Sequence, residues 1–150
     1  MSVDEQMLYD TVFKDCCSAK DMLKLLAKGQ WIDAESGEKI IQTNQRVEHL
    51  MLVQNGSIAF QVQENETIKL HPGCLLGAVS FLTQEATVAD YVAVEPVRYL
   101  SWHRDTLTQL FKAKPELKSA VYEVIGLDLV DKLIFSHKHL DMDNITSHAN

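Results

Sequence analysis

The sequence predicts an α+β fold that is mainly β: an antiparallel double-stranded β-helix, a jelly-roll-like β-roll, flanked by N-terminal and C-terminal α-helices. Two observations carry that prediction. About seven short apolar segments recur at roughly 8–12-residue spacing between Trp31 and Trp102, the pattern of a sandwich or barrel. Before and after them the apolar period changes from 2 to 3.6. The 150 residues suit a single domain with a real core, with the β-roll over about 31–102 and the C-terminal helices over about 104–140.

In chain order, Met7, Leu8, Val12 and Phe13 give Asp4–Lys14 helical spacing. Ser18, three residues before Asp21, resembles a capping box and opens a second helix through Met22, Leu23, Leu25 and Leu26. Gly29 supplies its stop. Ser36-Gly37 makes a turn before the short strand Lys39–Gln42. Leu50–Gln54 and Ser57–Gln63 flank Asn55-Gly56, which reads as a two-residue type I′ hairpin pairing Val53 with Ile58 and Met51 with Phe60. These side chains and Val62 then line the inside of the sheet, while Leu50 and Leu52 point outward and need a helix to cover them. A second hairpin turns at Glu64-Asn65, with Ile68 and Leu70 on its return strand, and Pro72-Gly73 turns again. Tyr91–Val94 and Val97–Trp102 are strands separated by Glu95-Pro96.

Helix returns with Leu107, Leu110 and Phe111 on one face of Arg104–Lys112. Pro115 fits the first turn of the next helix, whose apolar side carries Leu117, Val121, Val124 and Ile125. Beyond Gly126 the apolar set moves to Leu129, Val130, Leu133 and Ile134. This shift predicts a bend at Gly126 with Asp128 capping a new segment, followed by a frayed tail over Asp141–Asn150.

Composition narrows the function. A net charge of −7 and scattered Lys and Arg argue against a nucleic-acid partner. Nothing approaches 18 consecutive apolar residues, and no basic, apolar leader opens the chain. Three cysteines, Cys16, Cys17 and Cys74, make no disulfide framework and no C-x-x-C pair. A cytoplasmic protein without membrane contact is the expectation. His71 and His103 read as isolated, His49 lacks an H-x-H partner, and His137 and His139 cannot face each other on a helix, so no metal is expected. No nucleophile elbow and no paired carboxylates occur, so no catalytic residue is assigned and no enzymatic activity is expected. Arg98 and Arg104 read as salt-bridge formers.

The order of these elements resembles the cyclic nucleotide-binding domain superfamily over about residues 20–135. Gly37-Glu38, Leu50–Ile58 with its Asn-Gly, Pro72-Gly73, Leu75-Leu76-Gly77 and Ala93 carry the resemblance. Arg98–Trp102 with Arg104, and Ile125-Gly126-Leu127-Asp128-Leu129-Val130-Asp131-Lys132-Leu133, resemble the Popeye branch locally. The resemblance implies a phosphate-binding cassette between two strands, in which a Glu accepts from the ribose hydroxyl and an Arg pairs the cyclic phosphate. At those positions this chain has Ala78 and Thr87, and Asp90 stands where a Thr or Ser touches the ligand. The candidate pocket is therefore a degenerate one: Gly77, Ala78, Val79, Ser80, Thr87, Val88 and Asp90.

The resulting expectation is a non-catalytic regulatory or sensory module that does not bind cyclic nucleotide tightly. It has no cofactor beyond a weakly held cyclic nucleotide or other small ligand. The expected partner is another protein, or a second copy in a homodimer through Leu129, Leu133 and their neighbours on the last helix. The alternative is a sensor using Gly77 amides and the Ser80 and Thr87 hydroxyls. No DNA-binding helix-turn-helix is expected after the last helix.

Overall fold

A computed structural model describes the backbone of residues 1–63 and 66–149, and the side chains of these except 62–66 and 135–149. The chain opens with α1 (Val3–Leu8), capped by a reciprocal Ser2–Glu5 box, and continues as a π-helical turn over Tyr9–Phe13. In α2 (Ala19–Ala27) the Ser18 hydroxyl accepts from the Asp21 N–H, as the spacing predicts. Eight strands follow: β1 (Gln30–Ala34), β2 (Lys39–Ile41), β3 (His49–Asn55), β4 (Ile58–Gln63), β5 (Glu66–Leu70), β6 (Leu75–Leu76), β7 (Tyr91–Ala93) and β8 (Val97–His103). A short α3 (Ala78–Thr83) interrupts them between β6 and β7, and α4 (Arg104–Ala113) and α5 (Pro115–Ala149) close the chain.

The strands form two four-stranded antiparallel sheets, ordered β1-β8-β3-β6 and β2-β7-β4-β5. This arrangement corrects the first hairpin. β3 and β4 do not pair with each other; Val53 sits opposite Tyr99 and Ile58 opposite Leu70 and Ala93. Asn55-Gly56 instead carries the chain from one sheet to the other. Only Gly56 adopts positive φ (+86°), so the turn is not type I′. A Cβ on Gly56 would lie 2.3 Å from the Pro96 carbonyl oxygen, so the close approach of the β7–β8 connection excludes any side chain there.

The inward and outward assignments hold even though the pairing differs, because alternation along a strand does not depend on the partner. Met51, Val53 and Ile58 are buried between the sheets with Ile41, Ile68, Leu70, Leu76 and Tyr99. Leu50 and Leu52 face the other way and pack with Leu8, Phe13, Met22, Leu25, Leu107 and Val121 under the helices. Trp102 anchors this second core at 2 % exposure, its indole N–H donating to the Leu25 carbonyl at 2.8 Å. The β4–β5 register Phe60↔Ile68 agrees with the second hairpin, while the turn at residues 64–65 and the side chain of Val62 lie outside the described residues.

The last helix differs from its sequence reading. α5 runs unbroken through Gly126 to Ala149, across the stretch where the sequence suggests a frayed tail. Asp128 caps no new segment, because its carboxylate is used elsewhere. The shift of apolar side reflects two environments on one helix. Val121, Val124 and Ile125 enter the core, whereas Leu127, Val130, Leu133 and Ile134 face solvent. Leu129 turns inward against the core, so it does not share the outward face of Leu133.

Candidate functional site

β6 holds only Leu75 and Leu76, paired to Leu52 and Met51 of β3. The sequence reading missed it as a strand because two residues show no period. Gly77 then turns the chain out of the sheet with φ +79° and stands at the N-terminus of α3. A Cβ at Gly77 would meet the His49 carbonyl oxygen at 2.9 Å, so both conformation and space demand glycine. Gln84, also at positive φ, caps the C-terminus of α3, and an irregular segment leads to β7.

That segment is stitched to residues 42–47. Thr87 exchanges backbone bonds with both partners: Asn44 N–H donates to its carbonyl (2.7 Å) and its own N–H donates to the Gln45 carbonyl (2.8 Å). The Thr87 hydroxyl donates to the Gln42 carbonyl at 2.6 Å and accepts from the Gln45 N–H. Ser80 Oγ, 4 % exposed, donates to the Glu85 carbonyl (2.7 Å) and accepts from the Val47 N–H (3.1 Å). Asp90 accepts from both the N–H and the hydroxyl of Thr43 and pairs with Lys39 at 3.4 Å. The Thr43 N–H, then its hydroxyl, then Lys39 hold the Asp90 carboxyl below its ordinary range.

Six of the seven candidate residues, Gly77, Ala78, Val79, Ser80, Thr87 and Val88, line one cavity of about 220 Å³. Asp90 does not line it. Its carboxylate is turned to Thr43 and Lys39, which takes Asp90 out of the candidate pocket drawn from the sequence. The polar groups expected to receive a ligand, Ser80 and Thr87, are spent on the chain itself. Ala78, 3 % exposed, packs into the core beneath the helices, whereas Val79 and Val88 are exposed.

α5 closes the cavity with Leu129 and Lys132. Asp128 Oδ1 accepts from the Leu75 N–H at 3.0 Å, and Lys132 Nζ donates to the Leu75 carbonyl. The two side chains, one helical turn apart, are themselves ion-paired at 2.8 Å, with Asp128 almost wholly buried. They therefore satisfy the free edge of β6 as a neighbouring strand would. The Asp-x-x-x-Lys spacing was visible in sequence; its target, some 53 residues earlier, was not. Lys132 is the one cation in the described lining, where Glu85 is the acid.

Other candidates resolve simply. Burial pushes the Cys74 thiol up to about 12 and Cys17 to about 11, so neither carries thiolate at neutral pH. His49 and His103 are not isolated: the β3–β8 register brings their rings to 5.0 Å, edge to face. No group of three metal-ligating side chains occurs among the described residues, and His137 and His139 lie outside the described side chains. Arg98 pairs with Asp4 and Asp33, and Arg104 with Glu48, at opposite ends of β8. No helix in the described residues is long and apolar enough to cross a membrane.

Two antiparallel sheets around an apolar interior, a helix spliced into the strand break and a C-terminal helix over it define a β-roll. The chain belongs to the cyclic nucleotide-binding domain family, whose model matches residues 31–114. Domains of this family are typically regulatory rather than catalytic. No curated protein matches the chain. Among solved structures, it is similar to a cyclic nucleotide-binding domain from Methylobacillus flagellatus KT, with a TM-score of 0.80 and 17% identity over 93% of this chain and 85% of that one. The catabolite activator protein of Thermus thermophilus aligns at 0.68 and 22% identity over 91% of this chain; the chain spans 62% of that protein. The regulatory domain of Toxoplasma gondii PKA, co-crystallised with cAMP, aligns at 0.58 and 21% identity over 73% of this chain and 42% of that one. At these identities the likeness is one of fold.

Proposed function

We propose that this chain is a non-catalytic regulatory module that does not hold cyclic nucleotide tightly and acts through protein contact. One observation carries the reading: Lys132, the single cation lining the cassette cavity among the described residues, is already ion-paired to Asp128 and bonded to Leu75. A cyclic phosphate entering there meets Glu85 and no free cation, and the Ser80 and Thr87 hydroxyls are committed to the chain. Forgoing a charge-assisted contact to phosphate costs about 1.5–3 kcal/mol, tenfold or more in affinity. Ala78 and Thr87 at the positions where the family pattern has Glu and Arg agree with this. The local resemblance of Arg98–Trp102 and Ile125–Leu133 to the Popeye branch is the ground for proposing that the chain is a cytoplasmic relative of that branch.

The contact surface is the outward stripe of α5, where Leu127, Val130, Leu133 and Ile134 are between 48 % and 70 % exposed. A homodimer through this stripe would bury it. Calorimetry with cyclic AMP and cyclic GMP tests the ligand half: no heat at millimolar ligand is expected, and micromolar affinity for either would overturn it. Sedimentation tests the partner half: a dimer that Leu133→Glu converts to monomer is expected, and a monomeric parent at high concentration rules out the homodimer.

The cavity of about 220 Å³ favours a second reading, because apolar side chains have not collapsed to fill it. On that reading the chain senses a small, uncharged ligand, with α5 as the moving part.

A further inference from the structure

α3 separates two cavities of opposite character. One is the cassette cavity; the other, of about 320 Å³, lies between α3, α4 and the start of α5. Its walls include three aromatic rings, Phe81, Phe111 and Tyr122, and three cations, Arg104, Lys112 and Lys118. No Asp or Glu lines it among the described residues, although the chain as a whole carries a net charge of −7. Such a concentration of positive charge on an acidic protein is the kind of field that draws an anion.

The cations are positioned differently. Arg104 is held: its guanidinium lies 4.6 Å over the Phe81 ring, donates to the Ser80 carbonyl at 3.3 Å and stands 3.8 Å from Glu48. Lys118 leans over Tyr122, 5.6 Å from the ring centre. Lys112 and Lys118 have no carboxylate partner among the described residues, so neither ammonium charge is compensated there by an acid. Phe111 and Tyr122 stand edge to face at 6.2 Å, and Tyr122 lines the cavity while remaining 44 % exposed. A cavity of this volume suits a small molecule rather than a folded partner.

We propose that this cavity is a second binding site, distinct from the cassette, for a small aromatic phosphate: a planar ring against Tyr122 and Phe111 with a dianionic group directed to Lys112, Lys118 and Arg104. Two ammonium groups without a carboxylate partner among the described residues, beside one partly compensated guanidinium, match a doubly charged anion better than a singly charged one. The ring supplies apolar contact that inorganic phosphate lacks. The proposal is independent of whether the cassette binds cyclic nucleotide.

The test is a backbone amide NMR titration of the full chain with 1-naphthyl phosphate, run beside inorganic phosphate and 2-naphthol. Shifts at Leu82, Thr108, Lys112 and Tyr122 are expected, with about tenfold tighter binding than by either fragment and weakening as salt rises. Lys112→Glu with Lys118→Glu should abolish binding; Tyr122→Leu should weaken it toward the affinity of inorganic phosphate. Unchanged far-ultraviolet circular dichroism in each variant keeps the comparison valid. Absence of shifts, shifts confined to Gly77–Ser80, equal binding of inorganic phosphate, or binding indifferent to both variants would each overturn the proposal.

Discussion

Sheet β1-β8-β3-β6 carries helices on its outer face, whereas sheet β2-β7-β4-β5 meets solvent there. Along β3 five consecutive residues, Leu50 to Gln54, are buried, alternately under the helices and between the sheets. Along β5 the pattern alternates, with Thr67 and Lys69 exposed and Ile68 and Leu70 inside. A continuous apolar run marks a strand buried on both faces, and strict alternation marks one buried on a single face. The difference shows which sheet holds the helices on its outer face.

The largest effect should come from the covered face. Trp102→Ala removes a fully buried indole and one of the two donors to the Leu25 carbonyl, which keeps the Lys28 N–H, for a loss of about 3–5 kcal/mol. Urea denaturation with an unchanged m-value measures it, and a loss below 1 kcal/mol would break the contrast between the two faces. Next comes the strand edge. Asp128→Ala should cost about 1–3 kcal/mol and speed hydrogen exchange at the Leu75 amide. The Val53 amide, which donates to the Cys74 carbonyl, should be unaffected.

A smaller effect concerns pH. Burial, then the neighbouring His103, lowers the His49 pKa, so folding favours the neutral ring. The unfolded chain binds the proton more readily, and stability falls as pH drops through the ordinary histidine value of about 6.5. His49→Gln should flatten part of that fall, read as melting temperature between about pH 7 and pH 5. The smallest effect belongs to the open sheet: Lys69→Ala on its outer face should change stability by less than about 0.5 kcal/mol.

Much of this organisation is legible in sequence, and the losses share one cause. Alternation places Met51 and Val53 inside and Leu50 and Leu52 under helices without any knowledge of their partners. Pairing is another matter, because Asn55-Gly56 suits a hairpin and a sheet-crossing turn alike; the deciding contact is Pro96, far along the chain. The cassette follows the same rule. Gly77, Ser80 and Thr87 can be located from local spacing, yet the groups that occupy them lie 33 to 45 residues away at Val47 and Gln42. Asp90 lies outside the cavity for the same reason, its partner Thr43 being 47 residues distant.

The grip of Asp128 and Lys132 on Leu75 has a mechanical corollary. Displacing α5 strips both hydrogen-bonding groups of one residue at the border of a sheet, leaving a bare strand edge that can template pairing with another chain. Whatever lifts α5 therefore also unmasks a β-adhesive seam two residues before Gly77, so a partner that supplies a strand and one that withdraws the helix would each promote the other's binding.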